Sequence, residues 1–227
     1  MRREQLVIVC MISALFLSGC DTLMKDAIRD VHQERRAAKK GAEFISNDAL
    51  YSFTVPDDNY YIEDDPDGVI LIPRNFYVYY RGSYVIRTFL KTALPEENRT
   101  DLKRSFDWIN EKVRIGKAKQ KAEIIFTEDR DFRGEKALYL ETFVPGILEE
   151  YKATYYDVKK CSYGYTNLIF YHKERLYWVH YSDPYSPEQT LRQSTGALPH
   201  KVKEETKERF KAFVDKVSID PVITKKR

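Results

Sequence analysis

Hydrophobic and polar positions alternate in three ways along this chain. Tyr51, Phe53 and Val55 are apolar at every second residue, which predicts a strand that ends at Pro56 and Asp57-Asp58. Val69–Ile72 is a short apolar run. Phe76–Tyr80 and Tyr84–Leu90 flank Arg81-Gly82-Ser83, a hairpin turn by composition. Leu102, Phe106, Ile109 and Val113 then fall on one face of a 3.6-residue period, which predicts a helix ending at Gly116. Strand patterns resume over 122–127, 136–144 and 151–158, with a turn-rich loop expected across 128–134. Tyr165–Tyr171 and Leu176–Ser182 predict a hairpin in which Tyr171 meets Leu176 and His180 lies opposite Asn167. Pro184 and Pro187 open a loop expected to reach Pro199. Phe210, Phe213, Val214 and Val217 predict a last helix over 201–217, before a polar tail at 220–227.

Before residue 51 the pattern changes. Arg2-Arg3 precedes an apolar run from Leu6 to Leu17, and Leu17-Ser18-Gly19-Cys20 follows. The run is too short to span a bilayer, which takes about 20 residues, and it has the layout of a secretory signal. The last four residues resemble the lipobox of bacterial lipoproteins. The resemblance implies cleavage before Cys20 and a diacylglycerol thioether with palmitate-type chains on its sulfur. No other side chain forms that linkage, and two or more acyl chains anchor stably. Asp21 resembles an inner-membrane retention signal. Residues 1–19 are thus expected to be a signal helix, 20–50 an anchor and tether, and 51–219 one globular domain.

Within the tether, Leu23, Ala27 and Val31 form two turns of a helical stripe before the charged residues take over. A helix over 24–40 would span about 25 Å at about 1.5 Å per residue. Arg35, Arg36, Lys39 and Lys40 would sit at its far end, where they could rest on anionic headgroups or remain solvated.

Runs of antiparallel strands with few helices predict α+β, an α/β/α sandwich rather than a doubly wound parallel sheet. Tyr-Ser-Phe-Thr-Val-Pro at 51–56, the hairpin from Asn167 to Ser182 and the Phe210–Val214 helix resemble the PsbP-like fold. Its members include the photosystem protein PsbP, a Ran-binding transport factor and small envelope lipoproteins. Tyr60-Tyr61 stands where the family usually has Trp. The family shares no catalytic residues, so the resemblance carries none over and implies a mainly antiparallel sheet packed by two helices.

Composition narrows the chemistry. The chain has 227 residues, 43% hydrophobic and 32% charged, with a formal charge of +3. That balance does not suggest a nucleic-acid surface. Of three cysteines, Cys10 goes with the signal and Cys20 with the lipid, which leaves Cys161 and no disulfide. Glu63-x-Asp65-x-Asp67-Gly68 copies the front of a calcium loop, but its twelfth position is Arg74 and Pro66 interrupts it, so a turn is expected. Asp129-x-Asp131 near Gly134 reads the same way. His32, His172, His180 and His200 do not converge: the expected hairpin separates His172 from His180 by about 17 Å at about 3.3 Å per residue. Cys161 sits at a strand edge, not in a nucleophile's setting. No phosphate loop, dinucleotide fingerprint or Gly-x-Ser-x-Gly occurs. The seventeen tyrosines suit sheet packing, or an exposed glycan platform with Trp108 and Trp178.

The expected protein is therefore non-enzymatic, with no cofactor beyond the lipid on Cys20. Its partners would be the membrane and another envelope protein, and peptidoglycan or another glycan is the alternative.

Overall fold

The computed structural model describes residues 35–65, 67–74, 82–112, 122–146 and 161–221. The chain divides into two compact units, Met1–Arg36 and Ala37–Arg227. The signal, Cys20, His32, most of the expected tether helix, the strands expected at 76–80 and 151–158, Gly116 and the tail beyond 221 lie outside the described residues.

The strands are β1 (Arg35–Ala37), β2 (Glu43–Ile45), β3 (Tyr51–Thr54), β4 (Tyr60–Asp65), β5 (Gly68–Pro73), β6 (Ser83–Leu90), β7 (Glu123–Phe132), β8 (Glu135–Val144), β9 (Tyr163–His172), β10 (Arg175–Pro184) and β11 (Val217–Ile219). The helices are α1 (Leu102–Lys112), α2 (Pro187–Ser194) and α3 (Glu204–Val214). An eight-stranded sheet runs β1-β4-β5-β6-β10-β9-β8-β7, and a three-stranded sheet runs β11-β3-β2. Every register described within the two sheets is antiparallel.

Side chains alternate across the large sheet and build two cores. On one face Tyr139, Leu168, Phe170, Tyr177, Val179 and Tyr181 meet Phe210 and Phe213 of α3 and Phe53 of the small sheet. On the other, Leu138, Leu140, Ile169, Leu176 and Trp178 meet Phe106 and Ile109 of α1. Helices therefore cover both faces, as the α/β/α expectation requires. The Asp101 carboxylate caps α1 by accepting from the Lys103 and Arg104 N–H groups (2.9 and 3.0 Å).

Several elements differ from expectation. Arg35–Ala37 is strand, so the tether helix expected over 24–40 does not continue through these residues. The second unit starts at Ala37 and already includes β2, which pairs Phe44 with Phe53. Strand β4 was not expected. The loop expected at 128–134 shrinks to Arg133-Gly134, because β7 runs on to Phe132. The expected 184–199 loop contains α2, which a Ser186/Gln189 capping box and Pro187 at its first turn specify. The last helix stops at Val214, and Val217 is buried on β11 instead.

Candidate binding groove

Three turns converge on a groove with a cavity volume of 480 Å³. The first, between β2 and β3, is organised by Ser46, whose hydroxyl accepts from the Leu50 and Tyr51 N–H groups (3.0 and 3.2 Å) and donates to Asp48 (2.8 Å). The second is the two-residue turn between β4 and β5. There Asp65 accepts from the Asp67 N–H at 3.1 Å and takes two hydrogen bonds from Arg87 (3.0 and 3.3 Å). Gly68 follows because β6 passes close by: a Cβ at this position would lie 1.9 Å from the Ile86 carbonyl oxygen. The third is the end of β6, where Leu90 is 49% exposed.

The groove has an apolar wall of Phe44, Tyr51, Phe89, Leu90 and Ala93 and a rim carrying Asp48, Asp64, Asp65 and Asp67 against Arg175. Arg175 reaches Thr88 at 3.4 Å. Burial raises the Tyr51 hydroxyl well above the usual phenol range, and Asp48, Asp64 and Asp65 push it the same way, so it stays protonated. Burial alone would raise the Asp65 carboxyl; the hydrogen bonds from Arg87 and from the Asp67 N–H outweigh it and hold the group below the usual carboxylate range. Such a lining is complementary to a group that is apolar at one side and cationic at the other. The groove contains carboxylates, a phenol and a guanidinium, and among the described residues its lining includes no His, Cys or Lys.

The residues singled out in the sequence scatter rather than converge. Lys39 and Lys40 are exposed in the turn after β1, and the Lys40 N–H donates to Asp58. Arg36 is exposed on β1. The four cations therefore do not share a helix face. Glu63, Asp65 and Asp67 lie on the β4–β5 hairpin, with the Asp65 carboxylate committed to Arg87. Asp129 lies on β7, and Asp131 accepts from the Gly134 N–H at 3.1 Å. Cys161 is buried.

The histidines serve three unrelated places. His180 is 95% buried and stacks on Trp178 (ring centroids 4.3 Å apart). Neither of its ring nitrogens has a hydrogen-bond partner. Burial, helped by Arg87, lowers it to about 3, so it is neutral. His172 bridges Glu135 (2.7 Å) and Asp220 (3.0 Å) at the hairpin end, and those two carboxylates raise its pKa. His200 stacks on Phe143 at 4.3 Å.

The aromatic residues named for a glycan platform take different positions. Trp178 is 2% exposed and its indole N–H donates to Asn167 at 3.0 Å. Trp108 packs edge-on against Phe89. Tyr51, Tyr60, Tyr84, Tyr139, Tyr165, Tyr177, Tyr181 and Tyr185 are buried. Sequence reasoning missed the groove because its residues come from three turns far apart in the chain. The Ser46–Asp48 and Asp65–Asp67 turn chemistry was its only local signal.

The fold recurs in known structures. The chain superposes on the Saccharomyces cerevisiae Ran-binding protein Mog1p with a TM-score of 0.54 at 11% identity, over 79% of this chain and 95% of that one. It shares the fold of Mog1p. The PsbP protein (CyanoP) of Synechocystis matches 78% of this chain and 91% of its own at 13% identity, with a TM-score of 0.48. No protein-family model matches the sequence. No curated protein matches it either.

Proposed function

We propose that this protein is a lipid-anchored envelope lipoprotein whose domain binds or stabilises another envelope protein and performs no catalysis. The observation that carries the reading is Leu17-Ser18-Gly19-Cys20 behind the Leu6–Leu17 apolar run. Cys20 holds the acyl chains, and Asp21 favours the inner membrane. Arg36, Lys39 and Lys40, with Arg35 beside them, stand close enough to the anchor in sequence to meet anionic headgroups. Tethering confines the domain to a thin layer above the bilayer and raises its effective concentration toward membrane partners. The groove at Tyr51, Leu90 and Asp67 is the surface offered to the partner, which contributes a segment both apolar and basic.

In-cell crosslinking of the tagged, lipidated chain followed by mass spectrometry tests this. One specific envelope protein is recovered, recovery falls in Cys20→Ser, and Asp67→Lys with Asp48→Lys lowers it without releasing the chain from the membrane. Recovery of no partner in either form contradicts the proposal.

A further inference from the structure

Among the described residues, strand β7 ends the large sheet, with no strand beyond it in the strand order. It is ten residues long, and Phe126–Asp131 are exposed on both faces. Its hairpin with β8 closes at Phe132–Glu135 around a two-residue turn in which Arg133 and Gly134 both take left-handed backbone (φ 57° and 84°). In such a hairpin the closing pair is hydrogen-bonded, so Phe132, Arg130 and Glu128 spend their backbone groups on β8. The backbone groups of Thr127, Asp129 and Asp131 point outward. A long open edge of this kind pairs with another strand unless something blocks it.

We propose that two copies of this chain pair antiparallel through their β7 edges, about a two-fold axis at Asp129. The occupant follows from the strand's own sequence. A symmetric pair sets one residue opposite itself and matches its neighbours outward from there. Centring on Thr127 sets Phe126 against Glu128. Centring on Glu128 sets Phe126 against Arg130, and centring on Arg130 sets Glu128 against Phe132. Centring on Asp131 sets Arg130 against Phe132. Centring on Asp129 sets Phe126 against Phe132 and Glu128 against Arg130, each twice by symmetry. All four residues project to one face, in non-hydrogen-bonded positions where opposed side chains lie closest.

That face is already half apolar. Phe126 is 46% exposed, and a groove of 480 Å³ beside it is lined by Phe132, Tyr139 and Phe210. Arg130 bonds Glu128 in its own chain at 2.7 Å and lies 3.8 Å over the Tyr139 ring, which fixes the guanidinium on this face. Pairing adds the second copy's Glu128 and makes a four-charge network. On the opposite face Asp129 meets its own copy, a repulsion that keeps the association weak and reversible. The pairing rests on β7 alone and does not depend on lipid at Cys20 or on the groove of the proposed function.

Single cysteines in the full chain test the register, with wild type as background. Opposed residues in a hydrogen-bonded antiparallel pair have Cα atoms about 5.5 Å apart, within disulfide reach. Under mild oxidation Asp129→Cys crosslinks to its own copy. Thr127→Cys and Asp131→Cys crosslink poorly alone and readily to each other when co-expressed. Adding Glu128→Arg lowers the Asp129→Cys yield roughly tenfold, about 1.4 kcal/mol, and adding Arg130→Glu to that variant restores it. Equal crosslinking of all three single cysteines, none at Asp129→Cys, or no restoration by the double reversal would overturn the proposal.

Discussion

Two hairpins of this sheet share a geometry and differ in almost everything else. β7–β8 and β9–β10 each join ten-residue strands through two residues, the first with positive φ (Arg133 at 57°, Lys173 at 51°). β9–β10 lies mid-sheet, and its residues from Tyr165 to Phe170 are buried on both faces. β7 lies at the edge, and six of its ten residues, Phe126–Asp131, are exposed on both faces. The difference teaches that a strand's composition follows its place in the sheet. Central strands need apolar side chains on both sides, whereas an edge strand holds its shape through one partner's ladder and is free to be charged.

The comparison breaks most visibly in stability. Phe170 is fully buried and stacks on Tyr177 (5.1 Å), so Phe170→Ala is expected to cost about 3–5 kcal/mol in urea unfolding. Retention of full stability would mean the β9–β10 centre is not the core it is taken to be. Next comes His180. Its folded pKa of about 3 lies below the unfolded value, so the unfolded chain binds the extra proton. Stability should fall by about 1.4 kcal/mol per pH unit as pH drops below about 6.5. His180→Leu should flatten that slope, and an unchanged slope would place the acid sensitivity elsewhere.

His172, on the same hairpin, carries the opposite sign. Its folded pKa is raised by Asp220 and then Glu135, so its contribution is fully present below the unfolded pKa and is lost as pH rises through the folded one. Ring-proton NMR should show His172 titrating above an ordinary histidine and His180 silent through neutrality. Mutating β7 should have the smallest effect on folding: Asp131→Asn or Phe126→Ser is expected to shift unfolding by about 0.5 kcal/mol or less. A large loss there would show that β7 is built into the core rather than standing open.

The same contrast explains what the sequence disclosed. Tyr171 does meet Leu176, and His180 does lie opposite Asn167, because two runs of mostly buried side chains around the polar Lys173-Glu174 leave little choice of register. Phe106 with Ile109 and Phe210 with Phe213 read correctly for a related reason: each pair shares one buried stripe. Glu128-Asp129-Arg130-Asp131 read as loop because alternation reports burial, and an edge strand exposed on both faces has none. β2 and β11 are three residues each, too short to show a period. α2 could have been found from Ser186-Pro187-Glu188-Gln189, whose capping chemistry is local even though its buried residues, Thr190 and Gln193, are polar. The groove was out of reach because it depends on how three turns meet.

The architecture belongs to the described residues within 37–221; the proposal for the chain's place in the cell rests on Cys20. Intact-mass and peptide mass spectrometry of the chain purified from membranes addresses that directly. The account predicts a mature N-terminus at Cys20, with the peptide Cys20–Lys25 carrying diacylglycerol on sulfur. A chain that still begins at Met1, or an unmodified Cys20 thiol, would contradict it.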